Sequence, residues 1–143
     1  MPADAAADQY RPTERTVPTR SRERARYDRA TVHAILDSAF VCHLGFVADG
    51  APVVLPTLYA RVGERLYLHG STGSRPLRAA RGAGLPVCIA VTLVDGLVLA
   101  RSAFHHSVNY RSAVVVSRAR VVTDPVEKAH ALDLTVDHVV PGR

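Results

Sequence analysis

Residues 40–61, FVCHLGFVADGAPVVLPTLYAR, decide the fold. Two runs rich in β-branched and aromatic residues, Phe40 to Val47 and Pro52 to Arg61, flank Ala48-Asp49-Gly50-Ala51. An Asp-Gly pair between such runs predicts the tight connection of an antiparallel hairpin. Pro56 interrupts the second run, and proline cannot donate to a ladder, so this stretch sits at an edge or where the chain leaves the sheet. A cofactor can approach the backbone there.

Beyond the hairpin, Arg65 to His69 predicts a further short strand, and Gly70-Ser71-Thr72-Gly73-Ser74 leads into a helix over Arg75 to Ala83 with Pro76 in its first turn. Pro86 to Val94 and Leu97 to Ala103 then read as a second hairpin of central strands, turning at Asp95-Gly96. Val108 to Val122 reads as one long strand, bent or bulged, whose far end reaches solvent through Arg118 and Arg120. Asp124 and Glu127 make a capping-box pair around Pro125 and start a helix that runs to about Val139, with apolar positions Val126, Ala129, Leu132, Val136 and Val139. On the other side of the opening stretch, Val32, Ile35 and Leu36 recur at helical spacing behind Asp28, predicting a short amphipathic helix from Asp28 to Ala39.

Roughly six strands in hairpin order with a few helices predict a mainly β chain, a closed or partly closed antiparallel barrel. A parallel sheet would need a helix after each strand. At 143 residues the chain suits one domain. Residues 1–25 carry alanine, proline, arginine and acids without apolar periodicity, and predict a flexible arginine-rich arm; the folded domain is expected over 26–143.

The formal charge of +5 comes almost wholly from arginine, with Lys128 the only lysine. Arginine's planar fork suits phosphate oxygens. Acids offset the arginines of the arm, which reads as a solvated tail; nucleic-acid binding is not expected. Cys42 and Cys88 lie far apart, each in an apolar run, and read as buried reduced thiols. No cleavable leader and no run of membrane-spanning length is evident, so a cytoplasmic protein with no membrane partner is expected.

Three segments hold candidate chemistry. In Tyr67 to Arg75, glycines, hydroxyls and a helix start followed by an arginine make a phosphate-site layout; an ordinary turn with a serine N-cap accounts for the same residues. In Arg101 to Ser112, polar groups crowd between two apolar strands, the pattern of a ligand edge or a subunit interface. Adjacent His105 and His106 point to opposite sides of an extended chain, so no metal site is expected. The third is the proline and hydroxyl in Val54 to Tyr59. No triad order, HExxH pair or GxGxxG fingerprint is present, and no residue is assigned a catalytic role.

Taken together, RYDRATVHAILD, VCHLGFV, PVVLPTLYAR, RLYLHGSTGSR and DGLVLARSAFHHSVNYRSAVVV resemble the pyridoxamine-phosphate-oxidase-related flavin proteins, in the branch of the nitroimidazole-resistance reductases. The resemblance implies a Greek-key split β-barrel, a homodimer and FMN between the subunits. Carried onto matching positions, it places Leu55, Pro56 and Thr57 at the flavin ring and His69, Ser71, Ser74 and Arg75 around the phosphate. Asn109, Tyr110, Arg111 and Ser112 complete the site. Arg75 stands where the wider family often has lysine, and relatives usually continue for several dozen residues past Arg143. The implied function is an FMN-dependent oxidoreductase passing electrons from a reduced nicotinamide to a small organic acceptor such as a nitroaromatic. A flavin- or haem-binding module without turnover, or a deazaflavin-dependent reductase on the same barrel, are the alternatives.

Overall fold

A computed structural model of the chain describes residues 8–143. It contains five strands, β1 (Val41–Ala48), β2 (Ala51–Val62), β3 (Arg65–Leu68), β4 (Leu85–Val98) and β5 (Ser107–Ala119), and three helices, α1 (Arg29–Asp37), α2 (Arg75–Ala79) and α3 (Pro125–Val139). The strands follow the order β3-β2-β1-β4-β5. The chain divides into two compact units, Met1–Ala39 with Val91–Ala113 and Phe40–Ala90 with Val114–Arg143.

The second unit is built on the predicted hairpin. β1 and β2 pair from Val41↔Leu58 to Ala48↔Ala51. Asp49 and Gly50 take φ of 51° and 76°, the left-handed pair that a two-residue type I′ connection requires. The period-2 pattern then buries Cys42, Leu44 and Phe46 on one face, together with Tyr59, Leu85, Val87 and Ile89. Each large apolar side chain so buried contributes about 1.5–3 kcal/mol. Pro56 is explained by register. It faces His43 of β1, whereas the β3 ladder begins only at Tyr59↔Leu68, so no strand of that ladder asks Pro56 for an N–H.

At α3, Asp124 caps the helix by accepting from the Glu127 N–H at 3.0 Å. The reciprocal half of the capping box does not form. Glu127 Oε1 instead accepts from Arg65 Nη1 at 3.0 Å and Tyr67 Oη at 2.9 Å, tying the helix to β3. These polar anchors, with His138 set against the Tyr59 ring at 5.8 Å, fix which way the helix is turned. Thr135 is buried, whereas Val126, Leu132 and Val136 of the predicted apolar set are exposed.

In the first unit, Asp28 caps α1 by accepting from Thr31 N–H at 2.9 Å, and Ile35 and Leu36 are buried as their spacing predicts. The expected arm falls partly here; its residues 1–7 lie outside the described residues. From Asp8 onward the chain is bonded to the start of α1. Gln9 bridges Asp28, the Asp8 carbonyl accepts from Arg29 N–H at 2.9 Å, and the Tyr10 hydroxyl meets His33 Nε2 at 2.8 Å.

The second predicted hairpin is overturned. Asp95-Gly96 lies inside β4, Gly96 is not among the glycines of positive φ, and the strand runs on to Val98. The reversal comes later, through a 3-10 turn over Ala103–His105, where His106 Nδ1 accepts from the Ala100 N–H at 3.0 Å. Two predicted strands therefore become one. α2 ends at Ala79 and β5 at Ala119, each earlier than their apolar runs suggest. Cys88 is exposed, because it pairs with Gly45 on the face opposite Cys42, and both thiols are free. Among the described residues no helix is long and apolar enough to cross a membrane.

Candidate cofactor site

Two sequence segments meet in the second unit. Thr57 Oγ1 donates to the His69 carbonyl at 2.6 Å, and the His69 N–H donates to the Leu58 carbonyl at 3.1 Å. The proline-broken part of β2 is thereby fastened to the loop that follows β3. Leu55 and Pro56 precede Thr57 on β2, opposite Leu44 and His43 of β1, and both are exposed.

The loop then turns tightly into α2. The Ser74 N–H donates to the Ser71 carbonyl at 2.9 Å, and the Gly73 N–H reaches Ser71 Oγ at 3.4 Å. Ser74 occupies the N-cap position with extended dihedrals, and its carbonyl accepts from Arg78 N–H at 3.0 Å. Its hydroxyl, however, makes no capping bond. Ser74 Oγ is buried and has no hydrogen-bond partner, where a capping serine would bond a helical N–H. Leaving a buried hydroxyl unsatisfied costs about 1–3 kcal/mol, a cost removed by a ligand oxygen placed there. Arg75 follows immediately, is exposed, and has no acidic partner among the described residues. Orphaned hydroxyl, exposed guanidinium and helix start are the donor set that a phosphate monoester needs.

Asn109, Tyr110, Arg111 and Ser112 lie on β5 in the first unit, all exposed. Arg111 is engaged. Its Nε and Nη2 both donate to the Asp95 carboxylate, each at 2.9 Å, in the forked geometry characteristic of this pair. The hydrogen bonds from Arg111 hold the Asp95 carboxyl below its usual range. Sequence reasoning placed Asp95 in a turn and missed this pairing. The available signal was a lone acid inside an apolar strand with an arginine on the next strand. In the same unit His106 is spent on closing the β4–β5 connection.

Among the described residues no three of His, Cys, Asp and Glu gather as metal ligands. The site offers hydroxyl and guanidinium donors beside an exposed stretch of β2.

The profile of the family described as pyridoxamine 5′-phosphate oxidase matches residues 28–143. The chain belongs to that family. The pyridoxamine 5′-phosphate oxidase family fold is the mainly β antiparallel split barrel, and the solved structures agree with it. The chain is similar to the flavocytochrome Anf3 of Azotobacter vinelandii, with 41% identity and a TM-score of 0.82 over 91% of this chain and 60% of that one. It is also similar to the FAD and haem binding protein of Mycobacterium smegmatis, with 40% identity and a TM-score of 0.73 over 81% of this chain and 56% of that one. A candidate 5-nitroimidazole antibiotic resistance protein from Bacteroides thetaiotaomicron matches at 26% identity and a TM-score of 0.66, over 81% of this chain and 69% of that one. The chain thus spans under two thirds of the length of the first two. No curated protein matches it.

Proposed function

We propose that this chain binds a flavin nucleotide by its 5′-phosphate and serves as a redox protein, an FMN-type oxidoreductase that passes electrons from a reduced nicotinamide to a small organic acceptor. The observation that carries the proposal is the buried, unpartnered Ser74 hydroxyl beside Arg75. Membership of the family and the flavin-binding relatives support it.

In this reading Ser71, Ser74 and Arg75 hold the phosphate, and the Thr57–His69 bond fixes the β2 backbone at Leu55 and Pro56 against which the ring lies. A phosphate monoester carries about two negative charges near neutral pH, matched by the guanidinium and the helix start. A bound flavin supplies the electron chemistry, and the protein supplies binding and orientation. In the first unit, Val94 (68% exposed), Leu97 (71%), Leu99 (78%) and Phe104 (90%) offer the apolar area that a homodimer would cover.

A second reading is an electron-transfer module that carries haem with its flavin. It is favoured by the higher identity to the flavocytochrome and to the FAD and haem binding protein than to the nitroimidazole-resistance relative. Titration with FMN, followed by anaerobic addition of reduced nicotinamide and then of haem, tests both. Bleaching of the flavin band by the nicotinamide supports the oxidoreductase. A Soret band with no bleaching supports the module, and absence of any flavin binding refutes both.

A further inference from the structure

Charge is spread unevenly over the second unit. Its stretches 65–90 and 114–123 carry six arginines and no acidic residue. Arg65 is tied to Glu127, and Arg75 belongs to the phosphate site proposed above. The other four, Arg78, Arg81, Arg118 and Arg120, are all exposed, and none has an acidic partner among the described residues. Asp124, the acid nearest to Arg120 along the chain, is occupied in capping α3.

The fold brings these four together. Arg78 lies in α2 and Arg81 follows three residues on, the spacing at which helical side chains are neighbours. Arg118 Nη1 donates to the carbonyls of Ala83 and Gly84, both at 3.3 Å, which pins the loop after α2 to the end of β5. Gly84 permits the approach: its φ is 85°, and a Cβ there would stand 3.1 Å from the Arg118 Cγ and 3.2 Å from the Arg120 Cγ. Arg81 and Arg120 then border the same stretch of surface, with Gly82 and Thr123. Like charges held side by side without a counter-charge of the chain's own raise the local potential and draw in an anionic partner.

The composition of the surface selects among anions. A nucleic-acid strand stacks its bases on aromatic rings, and stretches 69–90 and 114–123 contain no Phe, Tyr or Trp. A lipid surface is gripped by apolar side chains set among basic ones, and no large hydrophobic residue is exposed on α2 or the loop after it. A protein face rich in carboxylates needs neither. Such faces associate by charge steering through small, transient interfaces, the mode of redox encounters.

We propose that Arg78, Arg81, Arg118 and Arg120 form the docking surface for a small acidic electron-carrier protein. The partner's acidity rests on the arginines alone; its being an electron carrier rests on the function proposed above.

The test is calorimetric titration of the full chain with an acidic plant-type [2Fe–2S] ferredoxin, at about 0.02 M and about 0.5 M salt. It compares the native protein with Arg78→Glu/Arg81→Glu/Arg120→Glu and with the same three positions changed to lysine. Arg118, which pins the loop, is left in place. At low salt the native chain should bind the ferredoxin, the glutamate variant about tenfold or more weaker, and the lysine variant nearly as well as the native chain. High salt should close the gap. Should the glutamate variant fail to fold, Arg78→Ser/Arg120→Ser is read in the same way. No ferredoxin binding, or affinities alike in the native and charge-reversed chains, overturns the proposal. So does an oligonucleotide, single- or double-stranded, that binds more tightly than the ferredoxin and is lost in the same variant. FMN titration of the same samples separates the two readings: FMN binding that fails while ferredoxin binding still depends on the arginines refutes the flavin reading and leaves the docking surface standing.

Discussion

Gly84→Ala is the substitution whose cost the structure defines most fully. At φ of 85° an alanine adopts a left-handed conformation, which costs an L-residue about 1–2 kcal/mol. Its Cβ would also meet the Ala119 carbonyl at 2.7 Å, the Arg118 Cγ at 3.1 Å and the Arg120 Cγ at 3.2 Å. The first of these is backbone at the end of β5 and cannot rotate away as a side chain could, so the loop must move away from β5. That move stretches the bonds from Arg118 to the Ala83 and Gly84 carbonyls, and overpacking of this kind costs about 1–3 kcal/mol. The expected total is about 2–5 kcal/mol. Gly82→Ala is the internal control. Gly82 also has positive φ, 69°, but its Cβ would meet nothing within 4 Å, so only the conformational part is lost. Urea unfolding of the native chain and both variants separates the two contributions. With a slope of about 2 kcal/mol per molar, the Gly84 variant should unfold about 1 M earlier than the Gly82 variant. Equal midpoints for the two variants would refute the close approach of the loop to β5.

Three further outcomes are expected. The Asp95 carboxyl, followed by NMR, should titrate below the ordinary 3.8, because hydrogen bonds from Arg111 favour its charged form. Its folded pKa is depressed, so the pair's contribution to stability is present above that ordinary value and is lost as pH falls through the folded pKa; Arg111→Gln should bring the midpoint back, and a midpoint unmoved by that change would refute the pairing. Burial pushes the Cys42 thiol up to about 11 while Cys88 is exposed, so a thiol reagent near pH 8 should label one cysteine in the native chain and both after unfolding; two fast thiols in the native chain would contradict the placement of Cys42. Glu127→Ala should destabilise by about 1–2 kcal/mol through the loss of the Tyr67 and Arg65 bonds, and Glu127→Gln, which keeps an acceptor, by clearly less; equal losses would show that the acceptor is not what holds α3 to β3.

The two Asp-Gly pairs show what the sequence could and could not disclose. At Asp49-Gly50 the dipeptide adopts the left-handed turn, and the flanking runs pair in the register that this turn dictates. At Asp95-Gly96 the same dipeptide stays extended within β4, where the Asp95 carboxylate is forked by Arg111 of β5. A local signal cannot report a partner that the fold brings in. The same holds for α3, whose rotation follows from Glu127 and His138 finding Arg65, Tyr67 and Tyr59, contacts invisible to apolar periodicity. At the candidate site, the glycine and serine loop before Arg75 was legible as an anion layout because it depends on local backbone chemistry. The bond from Thr57 to the His69 carbonyl was not, since it joins β2 to the loop that follows β3.

Ser74 and Arg75 are proposed to hold the phosphate of a flavin nucleotide. Titrations of FMN and riboflavin against the native chain, Arg75→Ala and Ser74→Ala, followed by flavin fluorescence, test this directly. FMN should bind the native chain more tightly than riboflavin, and Arg75→Ala should weaken FMN by about 10–100-fold with riboflavin hardly changed. Ser74→Ala should lower FMN affinity in the same selective way. Equal losses for both ligands, or no preference for FMN in the native chain, would contradict the claim that these residues bind the phosphate.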